Sequence, residues 1–294
     1  MNGVIIGALV ALGMAQQTDT TFAAQGARSL EVEVPAGSIV VTGWDRNEIA
    51  VKASHSTRTY VEVRRSRDGS RVSVEADARR GPATIVHFEI SVPRGMSLEL
   101  DAMTADITVT GVGGAVEADV TQGNITVADA GGALELATAT GKILVNRASA
   151  GVDAETAASE IRLVNVSGPI TAESAGGDIV LEGITSTSVD VGTVGGRVYY
   201  QGTFQRGGSY FLGTHGGTIT LVVPQGTAAT FHLASVYGTV VNALSDPVER
   251  LRGGERHKLE LGGGGALVEA ETFGGRIHLV RPGAQGAAAP SSER

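Results

Sequence analysis

From residue 98 onward the apolar residues fall at fixed offsets from a recurring small residue, and the whole pattern returns about every eighteen positions. Taking the small residue as an anchor gives Ala105, Gly123, Gly141, Ser159, Gly177, Gly196, Gly217, Gly238 and Gly275; the first five lie 18 apart and the later steps are 19, 21, 21 and 37. Two residues after each anchor stands Ile107, Ile125, Ile143, Ile161, Ile179, Val198, Ile219, Val240 or Ile277. Seven and five residues before it stand apolar pairs such as Leu98/Leu100, Leu134/Leu136 and Val189/Val191. Period-two alternation on both sides of the anchor predicts two short strands per repeat, each with one buried face, joined by a tight corner. A unit of this size cannot bury its apolar face alone and must stack on its neighbours. The prediction is an all-β chain, a parallel β-solenoid (β-helix) of about nine coils over residues 98–281. Glycine at the corner is expected to supply a positive φ.

Three residues before the anchors runs a polar column, Thr138, Thr156, Ser174, Thr193, Thr214, Ser235 and Thr272. Inward hydroxyls at a corner can bond turn backbone and the neighbouring coil, so this column reads as architecture. A serine nucleophile would need a base, and no histidine repeats beside it.

Residues 27–97 alternate cleanly too, in "SLEVEVPAGSIVVTGWDRNEIAVKAS", "TYVEVRRSRDGSRVSVEAD" and "TIVHFEISVPRG", with "RDGS" as a hairpin turn. They predict a β-rich N-terminal capping section over the open end of the stack, where unpaired strand edges would otherwise be exposed. An insertion at 242–265, "NALSDPVERLRGGERHKLELGGGG", precedes the last repeat and is expected to cover the other end. Residues 1–15, "MNGVIIGALVALGMA", read as a signal peptide, too short to span a bilayer, with Ala15 at the cleavage point. The small, polar tail 282–294 reads as disordered.

Composition narrows the chemistry. The 294 residues include 42 Gly, 8 Pro and no Cys, with an aromatic fraction of 4% that leaves no large aromatic ligand platform. The six histidines show no metal-ligand spacing. Function is therefore sought at outward positions, which packing leaves free. Six and four residues before the anchors these carry Glu99, Asp101, Glu117, Asp119, Glu135, Asp153, Glu155, Glu173 and Asp190, with Glu269 and Glu271 further on and neither Lys nor Arg among them. Stacked like charges about 4.8 Å apart repel by about 1 kcal/mol in bulk water. Such a face keeps sheets from aggregating, and it also offers a binding surface for a basic partner or for Ca²⁺, whose ligands are oxygens. No stereotyped cation motif or other metal site is coded.

Beside the anchors, Asp106, Asn124, Lys142, Glu160, Asp178 and Arg197 are partly alternating in sign and predict cross-coil pairs, Lys142 with Glu160 and Asp178 with Arg197. Leu144, Val180, Tyr199 and Val241 form a partly apolar outward strip, a contact surface or a site covered by chain. Arg58, Arg64, Arg65, Arg67, Arg71, Arg79, Arg80 and Arg94 cluster near the front, against a net charge of −8. Without aromatic platforms or nucleic-acid motifs, that cluster does not read as nucleic-acid binding.

In "GSIVVTGWDRNEIAVKA", in the "FEISVPRGMSLELDAMTADITVTGVGG" junction, and in the repeated "TATGKILV", "SAGGDIVLEG" and "TFGGRIHLV", the chain resembles a bacterial adhesin-like family of unknown function, the DUF4097-like exported β-repeat proteins. The resemblance covers roughly residues 28–281 and implies a cell-envelope β-solenoid with no established catalytic residues. The expected function is a non-catalytic, exported scaffold, in the periplasm, on the outer surface or secreted. It would have no resident cofactor and would bind an envelope protein, a glycan surface or another copy of itself. The competing readings are a β-helix enzyme acting on polysaccharide and a regulatory partner of another envelope protein. An enzyme would concentrate mixed acid and base residues over a few coils, whereas here one sign of charge is spread over many.

Overall fold

The structure, a computed structural model, describes residues 16–78, 85–244, 247–284 and 287–290. The segment read as a signal peptide lies outside the described residues, as do Arg79, Arg80 and residues 291–294 of the tail. Among the described residues no helix is long and apolar enough to cross a membrane. The chain is an all-β solenoid that divides into two compact units, Met1–Gly141 and Lys142–Arg294.

In the first unit the strand Ser29–Trp44 runs through both legs of a coil, with Gly37 at its corner opposite Ala105 of Ser97–Thr110. Leu30, Val32, Ile39 and Val41 are buried at the same offsets as in later repeats, so the anchor series has an earlier member. Val116–Gln122 and Ile125–Ala130 stack in parallel on Ser97–Thr110, and Leu134–Thr140 stacks on Val116–Gln122. On the other edge of Ser29–Trp44, two separate strands, Arg71–Ala78 and Val86–Pro93, complete a rung in parallel. Antiparallel strands then close the end. Thr59–Arg65 lies on Arg71–Ala78, Glu48–His55 on Val86–Pro93, and Gln16–Ala23 on Glu48–His55. The expected hairpin turn is present: Ser66 and Ser70 hydroxyls donate to Asp68 and hold its carboxyl at about 2, while Gly69 takes a φ of 76°.

In the second unit Ile143–Ala148 pairs with the Ser159 coil, and the coils cornered at Ser159, Gly177, Gly196 and Gly217 follow one another in parallel, in register except for one shift between Glu182 and Ile184. The next rung does not follow sequence order. Ser209–Thr214 and Ile219–Val222 pair with Ala266–Thr272 and Arg276–Val280, the last coil of the chain. That coil in turn pairs with Ala229–Ser235 and Thr239–Ala243, so the Gly275 coil is intercalated between those of Gly217 and Gly238. The insertion forms a hairpin, Glu249–Arg252 and Arg256–Leu261, laid antiparallel on the outer edge of the Gly238 coil. Its charged, exposed residues, Glu249, Arg250, Arg252 and Lys258 among them, leave a poor template for further pairing.

The core matches the period. Every inward Ile and Val two residues after an anchor is fully buried. The hydroxyl column is satisfied in the same way coil after coil. Thr193 Oγ1 donates to the Gly177 carbonyl (2.9 Å) and accepts from the Gly196 amide (3.2 Å), and Thr214 repeats this with Gly196 and Gly217 (2.9 and 3.1 Å). Thr272 donates to Gly217 (3.4 Å) and Ser235 to Gly275 (2.9 Å), which follows the intercalated order.

The reason for glycine at most corners differs from the one expected. Gly123 has a φ of 146°, but Gly177, Gly196, Gly217, Gly238 and Gly275 are not in the left-handed region. A Cβ on any of these five would instead collide with the carbonyl of the corner one coil away, Gly177 O in the case of Gly196. Close stacking of backbone on backbone excludes the side chain.

Candidate functional site

The outward acidic residues form two columns in the first unit. Glu31, Glu99, Glu117 and Glu135 face one another rung by rung, and beside them run Glu33, Asp101 and Asp119. Alternation places them outward because Leu98, Leu100, Val116 and Ala118 on the same strands point into the core. The second column continues across Ser29–Trp44 to Glu75, which faces Glu33. Glu33, Glu75, Asp77, Asp101, Met103 and Asp119 line an open cleft of about 450 Å³.

Charge is only partly compensated there. Arg71 reaches both Glu31 (3.3 Å) and Glu99 (3.4 Å), and Arg64 pairs with Glu62 (2.7 Å) and Glu75 (3.4 Å). Asp77 accepts the Tyr60 hydroxyl at 3.0 Å, and this contact raises the Tyr60 pKa. Asp101 carries the electrostatic cost of the columns. Partial burial, followed by the repulsion of Glu99, Asp119, Glu117 and Glu33, pushes its carboxyl above the usual value of 3.8.

In the second unit the predicted residues Asp153, Glu155, Glu173 and Asp190 are exposed on the same outward positions of successive coils. Glu155 faces Glu173, but Asp153 faces Thr171, which in turn faces Asp190. These carboxylates are therefore more dilute than those of the first unit. Among the described residues no three His, Asp or Glu side chains converge so as to hold a metal ion.

Of the expected cross-coil pairs, Asp178–Arg197 is present at 2.6 Å. The Glu160 carboxylate accepts from Arg162 at 3.0 Å. Two members of the apolar strip, Val180 and Tyr199, are covered by the chain's own tail, while Leu144 stays exposed. Ala287 and Ala289 pack on a cluster of Val180, Tyr199, Val222 and Val280. The Tyr199 hydroxyl donates to the Ala287 carbonyl (2.6 Å), and Arg162, also bonded to Glu182, donates to the Pro290 carbonyl (2.6 Å). Four of the six described members of the basic front cluster are engaged locally, Arg94 by Asp45 (2.8 Å) and Arg65 by the Ala23 carbonyl (2.8 Å), besides the Arg64 and Arg71 pairs.

Sequence reasoning missed Glu31, Glu33 and Glu75 as members of the acidic surface. The first two follow from the Gly37 anchor, whose offsets to Leu30, Val32, Ile39 and Val41 are those of every later repeat. Glu75 has no such signal, because its strand joins the rung from a separate hairpin.

No family model and no curated protein matches the chain. Two solved structures are similar to it at low identity, both provisionally designated adhesion proteins. A cell adhesion protein from Clostridium sporogenes is 11% identical, with 91% of this chain and 99% of that one covered and a TM-score of 0.25. An adhesin from Bacteroides fragilis is 10% identical, with 90% and 97% covered and a TM-score of 0.43.

Proposed function

We propose that the chain is a non-catalytic, exported cell-envelope scaffold, adhesin-like in role, whose acidic columns bind a basic surface on an envelope partner. One observation supports the reading most directly: two in-register carboxylate columns kept on one face of the first unit, with Asp101 destabilised in its charged form by its neighbours. A stack selected only for stability would intersperse cations at these rungs, as it does at Asp178–Arg197. Like charge that Arg64 and Arg71 relieve only at Glu31, Glu75 and Glu99, and that a partner neutralises on binding, is a source of both affinity and steering. Divalent cations such as Ca²⁺ would relieve the same repulsion diffusely, bridging neighbouring rungs.

The test is a pull-down from envelope extract with wild type and a variant carrying Glu99→Gln, Asp101→Asn, Glu117→Gln, Asp119→Asn and Glu135→Gln. Salt-sensitive capture by wild type and its loss in the variant is the expected result. Identical capture by both proteins argues against the acidic face as the binding surface. For Ca²⁺, melting with and without about millimolar cation separates the cases: wild type should gain stability that the variant does not. An unchanged wild-type melting temperature removes the cation from the proposal.

A further inference from the structure

The intercalated coil creates a second surface, built from the corners of the second unit. The residue after the hydroxyl column is Ala157, Ala175 and Val194 in successive coils, and then, in spatial order, His215, Phe273 and Val236. Sequence order would have placed Val236 between His215 and Phe273. Instead the Gly274 amide bonds the His215 carbonyl and the Tyr237 amide bonds the Phe273 carbonyl, which puts the Phe273 ring on the imidazole. The two rings stack with centroids 4.7 Å apart and planes 10° from parallel, and Tyr237 meets Phe273 edge-on at 4.9 Å.

Around the corner, the ring of Phe211 lies across Gly213. Gly213 and Ala234 leave the middle of this face without bulk, which opens a cleft of about 570 Å³. Across it, Arg256 spans the rung of Ala234 to reach Glu271 at 2.7 Å, while the hairpin turn is fixed by the Gly254 amide on the Ser235 carbonyl (2.8 Å). Tyr237, Phe273 and Phe211 keep 76%, 44% and 37% of their surface exposed, in a chain whose aromatic fraction is 4%. Tyr200, Tyr210, Phe88 and Phe231, by contrast, are fully buried. An aromatic platform therefore exists, contrary to what the composition suggests.

We propose that this cleft binds a saccharide, an oligomer of β-linked pyranose units with one apolar face. The positively polarised C–H face of such a sugar packs on the negative face of an aromatic ring, here Phe273 or Phe211, both of which line the cleft. Its equatorial hydroxyls meet Arg256, Glu271 and Glu255 at the rim, donors and acceptors side by side. A lipid or an apolar peptide side chain would use the rings but desolvate the Arg256–Glu271 pair without replacing its water. A phosphodiester would face Glu255 and Glu271. The cleft shares no residue with the acidic columns of the first unit, so the two surfaces fail or succeed separately.

The full chain is screened against an array of neutral oligosaccharides that includes the β-1,4-linked hexaoses of glucose and of N-acetylglucosamine, and titrated calorimetrically with those that bind. Saturable binding is expected, weakened about tenfold or more by Phe273→Ala and by Phe211→Ala. Both rings are exposed, so the melting temperatures of these variants should stay close to wild type. The five-fold neutralised acidic-face variant should bind sugar as wild type does. No saccharide bound at roughly millimolar concentration, binding that survives both ring variants, or ring-dependent capture of peptides from a display library without any saccharide binding would each overturn the proposal.

Discussion

Gly192 and Gly196 lie four residues apart on one coil and respond to a methyl group in opposite ways. At Gly196 a Cβ would strike the Gly177 carbonyl, whereas at Gly192 nothing lies within 4 Å of that position. Gly196→Ala should therefore cost about 1–3 kcal/mol, as overpacking does, and Gly192→Ala should be neutral or stabilising by about 0.4–1 kcal/mol. Urea unfolding of the two variants measures the contrast. Thr193→Val keeps the shape of its neighbour but strands the Gly177 carbonyl and the Gly196 amide, at a cost of about 1–3 kcal/mol. The hydroxyl column was readable from sequence because its offset is fixed. The collision behind the corner glycines was not, since it depends on how closely one coil approaches the next.

Asp101 gives a residue-scale prediction with a pH sign. Its folded pKa lies above the unfolded value of 3.8, so the carboxyl favours the folded state fully only below that value. The contribution is lost as pH rises through the raised folded pKa, leaving an uncompensated charge near neutrality. Asp101→Asn should raise the melting temperature at pH 7, and the gain should vanish near pH 3. A gain of equal size at both pH values would mean that the effect is not electrostatic.

At the scale of elements, the C-terminal tail and the insertion hairpin both close surfaces that the repeats leave open. The outward strip of Val180 and Tyr199 was visible in the sequence as an apolar interruption of a polar row. What covers it was not, because Ala287, Ala289 and Pro290 lie in a stretch with no periodicity of its own. Truncation after Gly283 should expose this strip, lower the melting temperature by a few degrees and increase binding of a hydrophobic dye, as expected for re-exposed apolar area. The hairpin's antiparallel pairing was likewise not predictable from its glycine-rich sequence, although its terminal place was.

At the scale of the molecule, the repeat defines what a coil is but not which coil lies on which. Residues 98–140 within the first unit and 143–222 within the second each stack as their order in the chain suggests, because short corners leave each leg no other neighbour to reach. The 37-residue step between Gly238 and Gly275 removes that constraint, and the last coil slides in beneath the one before it. The aromatic ridge is a product of this order, since only an intercalated Phe273 meets both His215 and Tyr237. The order is testable without any ligand. The chain has no cysteine, and Thr220, His278 and Val241 stand on successive rungs at half-buried outward positions. Adjacent rungs are about 4.8 Å apart, within disulfide reach, whereas two rungs exceed it. Mild oxidation of the Thr220→Cys/His278→Cys and Thr220→Cys/Val241→Cys pairs, followed by peptide mapping, should yield a cross-link in the first and none in the second. A cross-link in the second pair with none in the first would contradict the intercalated coil and the ridge built on it.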